Sequence, residues 1–164
     1  MATVARILVY GFGPYKQYRT NITETTLRNI SLPKNTTVHI FDVRFARQMF
    51  IDVFDQIQPT IIIGLGQHPR ARKLRIERKT FPRGDPKKSL TTTLKLPNTS
   101  DTTIAYNPGD YVCNFSMWHT RAWCQKHNAR SGFLHIPKNY SQDRLKRYLR
   151  YACTWCESRY QKTL

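Results

Sequence analysis

The sequence predicts an α/β fold: a three-layer α/β/α sandwich around a mostly parallel, twisted sheet. Three observations predict it. Short apolar runs of strand length alternate with longer segments whose apolar residues recur at helical spacing. One run, Ile61-Ile62-Ile63-Gly64-Leu65-Gly66, is apolar without alternation, as a strand covered on both faces must be. The chain has 164 residues, 40% of them hydrophobic, so a single domain over 1–164 can bury a real core.

The elements follow in order. Ile7-Leu8-Val9-Tyr10 reads as a buried strand, stopped by Gly11-Phe12-Gly13-Pro14. Residues 23–30 carry a short helical pattern, with Thr23 as the expected cap. Residues 36–43 alternate as a strand. Phe45, Met49, Phe50, Val53, Phe54 and Ile57 form one helical face before Pro59. Residues 74–80 read as extended. Residues 82–103 are rich in Pro, Lys, Thr and Asn and read as a long loop with hairpin pieces, and residues 102–106 as an edge strand. Residues 112–127 suit a helix, 132–136 a strand, and 143–160 a long basic amphipathic helix.

Charge is the outlying property. There are 27 Lys+Arg against 10 Asp+Glu, a formal net charge of +17. Such a surface attracts polyanions, but charge alone specifies no site, so a nucleic-acid partner is not favoured. No apolar segment is long enough to span a bilayer. The run from Arg6 to Gly13 is too short for a secretory h-region, so the cytoplasm and free thiols are expected. Six Asn-x-Ser/Thr sequons then read as by-products of composition.

Two local patterns carry chemistry. Pro108-Gly109-Asp110 is a turn signal, which places Cys113 in the first turn of the following helix. There the unpaired backbone N–H groups can favour a thiolate or bind an oxyanion. His135 falls near the C-terminal end of a strand, the sheet edge where α/β proteins bind ligands. A Cys–His pair of this kind needs a third group to orient the imidazole, and Glu77 is the leading carboxylate. The first loop, Gly11-Phe12-Gly13-Pro14-Tyr15, lacks the third glycine of a dinucleotide fingerprint. Its aromatic residues, with Tyr18, read instead as a pocket wall. Cys124-x-x-His127 and Cys153-x-x-Cys156 have zinc-like spacing, but both lie in helices at packing positions. No metal and no cofactor are expected. The cluster Arg70, Arg72, Lys73, Arg75, Arg78 and Lys79 could line the approach to an active site or bind a polyanion, but reads first as a solvated face.

Taken together, four motifs in order resemble pyroglutamyl peptidase I, also called pyrrolidone-carboxylate peptidase. They are Ile7 to Tyr15 running on to Asn21, Gln58-Pro59 to Gly66-Gln67, Glu77-Arg78, and Tyr111-Val112-Cys113-Asn114 with Gly132-Phe133-Leu134-His135-Ile136-Pro137. The resemblance implies a cysteine peptidase that removes an N-terminal pyroglutamyl residue through a thioester. It implies Cys113 as nucleophile, His135 as general base and acid, and Glu77 as third member. It implies Phe12, Tyr15, Tyr111 and Val112 around the pyrrolidone ring, with Asn21 and Gln67 as polar partners. The chain is a shortened and strongly basic member by this reading, with much of the loss between Glu77 and Cys113. The runner-up is the same fold with a weakened site, binding nucleic acid or another polyanion. A third reading is a thiol hydrolase of another small amide or ester. Homo-oligomers are compatible with the sequence, which sets no oligomeric state.

Overall fold

The structure, a computed structural model, describes residues 4–160. Eight strands and four α-helices follow one another. They are β1 (Ile7–Phe12), α1 (Ile22–Leu27), β2 (Thr36–Phe41), α2 (Arg47–Ile57), β3 (Ile61–His68), β4 (Leu74–Glu77), β5 (Lys79–Thr80), β6 (Leu90–Thr91), β7 (Thr102–Ala105), α3 (Val112–Lys126), β8 (Arg130–Pro137) and α4 (Gln142–Tyr160). Six strands form one sheet in the order β2-β1-β3-β8-β4-β7, and β5 and β6 make a separate two-stranded piece. All neighbours in the large sheet are parallel except β4 and β8, which run antiparallel. No helix among the described residues is long and apolar enough to cross a membrane.

The alternation of β1 divides the core into two layers. Ile7 and Val9 point to one face and meet Leu145 and Leu149 of α4. Leu8 and Tyr10 point to the other and meet Phe50 and Phe54 of α2 and Met117 and Trp123 of α3. β3 is buried from Ile61 to Gln67, as its unalternated apolar sequence requires. The three-layer arrangement expected from the sequence is therefore present.

Two differences from the sequence reading have physical causes. Helix α1 is capped by Asn21 rather than Thr23, because the Asn21 carboxamide accepts the Thr23 N–H at 3.0 Å. Thr23 is drawn into the helix and ties it to β1, accepting from Phe12 N–H at 2.8 Å and donating to Phe12 O at 3.1 Å. The extended segment over 74–80 is two strands. Its first half joins the main sheet while Lys79–Thr80 leaves to pair with Leu90–Thr91. The two zinc-like pairs are on opposite faces of the sheet, Cys124 in the α3 layer and Cys153 and Cys156 in the α4 layer. His127 is stacked on Trp123 at 3.9 Å. No cluster of three or more potential metal ligands occurs among the described residues.

Candidate active site

The turn before α3 sets where Cys113 goes. Gly109 has a φ of 80°, open to glycine at little cost. Asn107 accepts the Gly109 N–H at 3.0 Å, and Asp110 accepts the Gly84 N–H at 3.1 Å. Tyr111 occupies the N-cap position with extended backbone and gives the helix no side-chain cap. The N–H groups of the first turn thus have no acceptor from the cap and are available to a developing oxyanion. Asn114, buried behind Cys113, holds the helix start to the neighbouring segment. It accepts from Thr80 Oγ1 and Phe81 N–H, and donates to Phe81 O at 2.9 Å.

Cys113 and His135 flank one bare backbone position. A methyl group on Gly66 would meet Cys113 Sγ at 2.5 Å and His135 Cδ2 at 3.1 Å. The glycine in β3 is what lets the sulfur and the imidazole approach the same point. His135 is directly opposite Gly66 in the β3–β8 register.

Behind His135 stands a charge relay of position rather than of protons. Its Nδ1 is 2.8 Å from Glu77 Oε1, with both side chains almost fully buried. Arg75 Nε donates to the same Oε1 at 3.0 Å. With Arg75 also donating there, the carboxylate is the acceptor, so Nδ1 carries the hydrogen and Nε2 is left as the basic atom. The Arg75 guanidinium also donates to Asn107 O at 3.1 Å, in the turn that leads to α3. One arginine therefore touches the carboxylate and the loop that presents the cysteine. Register explains its place: β4 runs antiparallel to β8, so Arg75 is opposite His135 and Glu77 opposite Phe133, on one face.

Burial pushes the Cys113 thiol up to about 12, and the charge of Glu77 adds to the rise. The helix start, which the sequence offers as a source of thiolate, is thereby opposed by desolvation. His68, whose ring is 5.2 Å from that of His135, is held below the usual histidine range by burial and then by His135.

These groups open into a cavity of about 270 Å³. Phe12, Tyr15, Asn21, Gln67, Tyr111 and Val112 all line it, together with Cys113 and His135. Glu77 is not in its wall but behind His135. Tyr15 and Tyr111 face each other at 6.4 Å, and Lys16 Nζ sits 4.5 Å over the Tyr111 ring. Burial raises the Tyr15 phenol to about 12, with Cys113 a smaller contribution and a side-chain interaction with Gln67 opposing it. The two amides differ. Asn21 is engaged at both ends, donating to Gly13 O at 3.1 Å and accepting from Thr23. Gln67 accepts the Ile22 N–H at 2.9 Å through Oε1, while its buried Nε2 has the Tyr15 phenol as its polar neighbour and makes no full hydrogen bond. The sequence singled out none of Gly66, His68 and Val43 as site residues, and offered Arg75 only within a basic cluster read first as a solvated face; the β4–β8 register is what singles it out.

The same architecture recurs in solved structures. The pyrrolidone carboxyl peptidase of Thermococcus litoralis superposes with a TM-score of 0.83 at 19% identity, over 98% of this chain and 96% of that one. The fold is that of the pyrrolidone carboxyl peptidases. A pyroglutamyl peptidase I from Bacillus amyloliquefaciens gives 0.76 at 19% identity, over 94% of this chain and 97% of that one. A pyrrolidone carboxyl peptidase variant from Pyrococcus furiosus gives 0.79 at 18%, over 96% and 99%. No family model and no curated protein matches the chain by sequence.

Proposed function

We propose that this protein is a cysteine peptidase that removes an N-terminal pyroglutamyl residue from peptides. The observation that carries the reading is the placement of Cys113 Sγ and His135 Cδ2 about the one Gly66 position, in the wall of an aromatic cavity that Gln67 also lines. The names of the proteins that share its fold point the same way. A pyroglutamyl ring is flat and uncharged, so it needs apolar walls and a few fixed hydrogen bonds. Phe12, Tyr15, Tyr111 and Val112 supply walls, and Gln67 Nε2 is a donor for the lactam carbonyl.

In this mechanism His135 Nε2 takes the Cys113 proton as the sulfur attacks the pyroglutamyl carbonyl carbon. The oxyanion is met by first-turn N–H groups of α3. Its collapse breaks the C–N bond, and the amine leaves with the proton from Nε2. Water then attacks the thioester, giving one proton to Nε2. Release of pyroglutamate returns that proton to the sulfur. Glu77 holds the imidazole tautomer throughout. Such chemistry needs a reduced cysteine, and all four cysteines are unbridged; the cytoplasm is the compartment we propose with it.

The test is release of aminomethylcoumarin from its pyroglutamyl amide. Wild type turns it over, Cys113→Ser lowers the rate at least about 10³-fold, and the alanyl amide is not cut. Turnover that does not depend on Cys113, or none at all, overturns the proposal.

A further inference from the structure

A second cavity, of about 360 Å³, opens beside the first. Pro69 lines both. The second is walled by Arg72, Lys73, Lys138 and Arg144, with Asp101 the one carboxylate among them. Asp101 is already ion-paired with Arg144, and Lys73 Nζ donates to Ser100 O at 3.1 Å. No carboxylate among the described residues lies within ion-pair reach of Arg72 or Lys138. Lys138 sits instead 5.5 Å over the ring of Tyr18, a residue of the catalytic cavity wall.

The chemistry proposed for the first cavity gives the second a direction. The departing amine must lie within reach of His135 Nε2, the atom that protonates it. The remainder of the peptide therefore leaves on the His135 side. There β3 and β8 end side by side, His68 in register with Pro137, and the next residues are Pro69 and Lys138. A chain passing the histidine is led over Pro69 into the cationic cavity. A third cavity continues the path, sharing Lys138 with the second and Tyr18 with the first.

We infer that the protein prefers peptides with acidic residues in the positions following pyroglutamate, held by Arg72 and Lys138. This rests on the peptidase reading for its direction. It also gives part of the +17 charge a use at the site. The charges are solvent-facing, so each acidic residue contributes modestly, about two- to five-fold in kcat/KM at low salt.

The experiment compares pyroglutamyl-Ala-Glu-Glu-Ala, pyroglutamyl-Ala-Gln-Gln-Ala and pyroglutamyl-Ala-Lys-Lys-Ala. Each rate is divided by the same protein's rate on pyroglutamyl aminomethylcoumarin, which has no residue to place in the groove. The expected order is Glu above Gln above Lys. The Glu-to-Gln ratio is about four or more at ~50 mM salt and shrinks toward one at ~0.5 M. In the Arg72→Gln/Lys138→Gln double variant the ratio falls toward one at low salt. Equal ratios for the three peptides in wild type overturn the inference and leave the peptidase reading standing. Should the coumarin amide not be cut, the peptidase reading fails alone, and binding of the same fluorescein-labelled peptides to Cys113→Ala by anisotropy decides the groove. There the expected result is tighter binding of the Glu peptide, weakened in the double variant. Equal binding of the Glu peptide with acetyl-Ala in place of pyroglutamate, displaced by an equimolar oligonucleotide, shows a general polyanion surface and overturns the inference.

Discussion

Arg75 and His135 donate to one and the same oxygen, Oε1 of Glu77, at 3.0 and 2.8 Å. The buried carboxylate is thus set by two partners from two strands, and the imidazole inherits its orientation from both. Arg75 acts through Glu77 and touches neither the cavity nor Cys113, so its part is to position.

Replacing Arg75 tests that part. Arg75→Gln keeps a donor but removes the charge and the second arm to Asn107. The expected result is a fall in kcat of about tenfold to a hundredfold with KM for the coumarin amide little changed. Arg75→Lys recovers only part of the rate, since a single ammonium cannot reach both acceptors. A lowered melting temperature with kcat unchanged would show Arg75 to be purely structural.

Gly66 makes a second prediction. An alanine methyl there would press on Cys113 Sγ at 2.5 Å and on Phe133 Cζ at 2.9 Å. The helix start or the imidazole must shift to relieve it. Gly66→Ala should lower kcat/KM at least about a hundredfold while costing only about 1–3 kcal/mol of stability. Parallel assays of turnover and of urea unfolding give the two numbers. Retained activity would mean that the sulfur does not work from the position described.

The buried thiols predict an alkaline limit. Burial holds Cys124 and Cys156 up to about 12 and Cys153 up to about 11. Their folded pKa values lie above the ordinary thiol value, so the stability they contribute is complete below about pH 8.5 and is lost as pH rises toward 11–12. In that window the unfolded chain ionises first, and each fully ionised thiol weakens folding by about 1.4 kcal/mol per pH unit. Urea midpoints should be level from pH 7 to 8.5 and fall steadily to pH 10.5. Cys113, raised by burial and Glu77, should in the same range be alkylated by iodoacetamide more slowly than free cysteine at pH 7.5. A fast reaction at neutral pH would point to a resting thiolate instead.

Much of this molecule is legible in the order of its residues, because burial imposes regular spacing. Ile61 to Gly66 can only be a covered strand, and the face from Phe45 to Ile57 can only be an amphipathic helix; both are found, as β3 and α2. Cys113 and His135 are legible because each is announced locally, by a turn and by a strand end. Arg75 is different. Six cations fall between Arg70 and Lys79, and nothing local says which is solvated and which is held. The structure divides them: Arg78 donates to Thr92 and Leu94 O at 2.9 Å, Arg75 to Glu77, and Arg70 and Arg72 remain exposed. That division is made by strand direction, a long-range property. Asn21 shows the converse. The resemblance gave it as a polar partner of the ring, while the engagement of its amide by Gly13 and Thr23 depends on how the first loop folds back.

Strand β4 runs, together with β7, against the other four strands of the sheet, and this has a consequence for how the chain can vary. Arg75 and Glu77 reach the histidine only because they are two apart on β4 and so share a face. Loss or gain of one residue there would turn the pair toward the α4 layer and bring Leu74 and Ile76 against the imidazole. The stretch from Lys73 to Arg78 can therefore change its length only by even numbers, whereas the connection from 82 to 89, outside both sheets, is free of that parity.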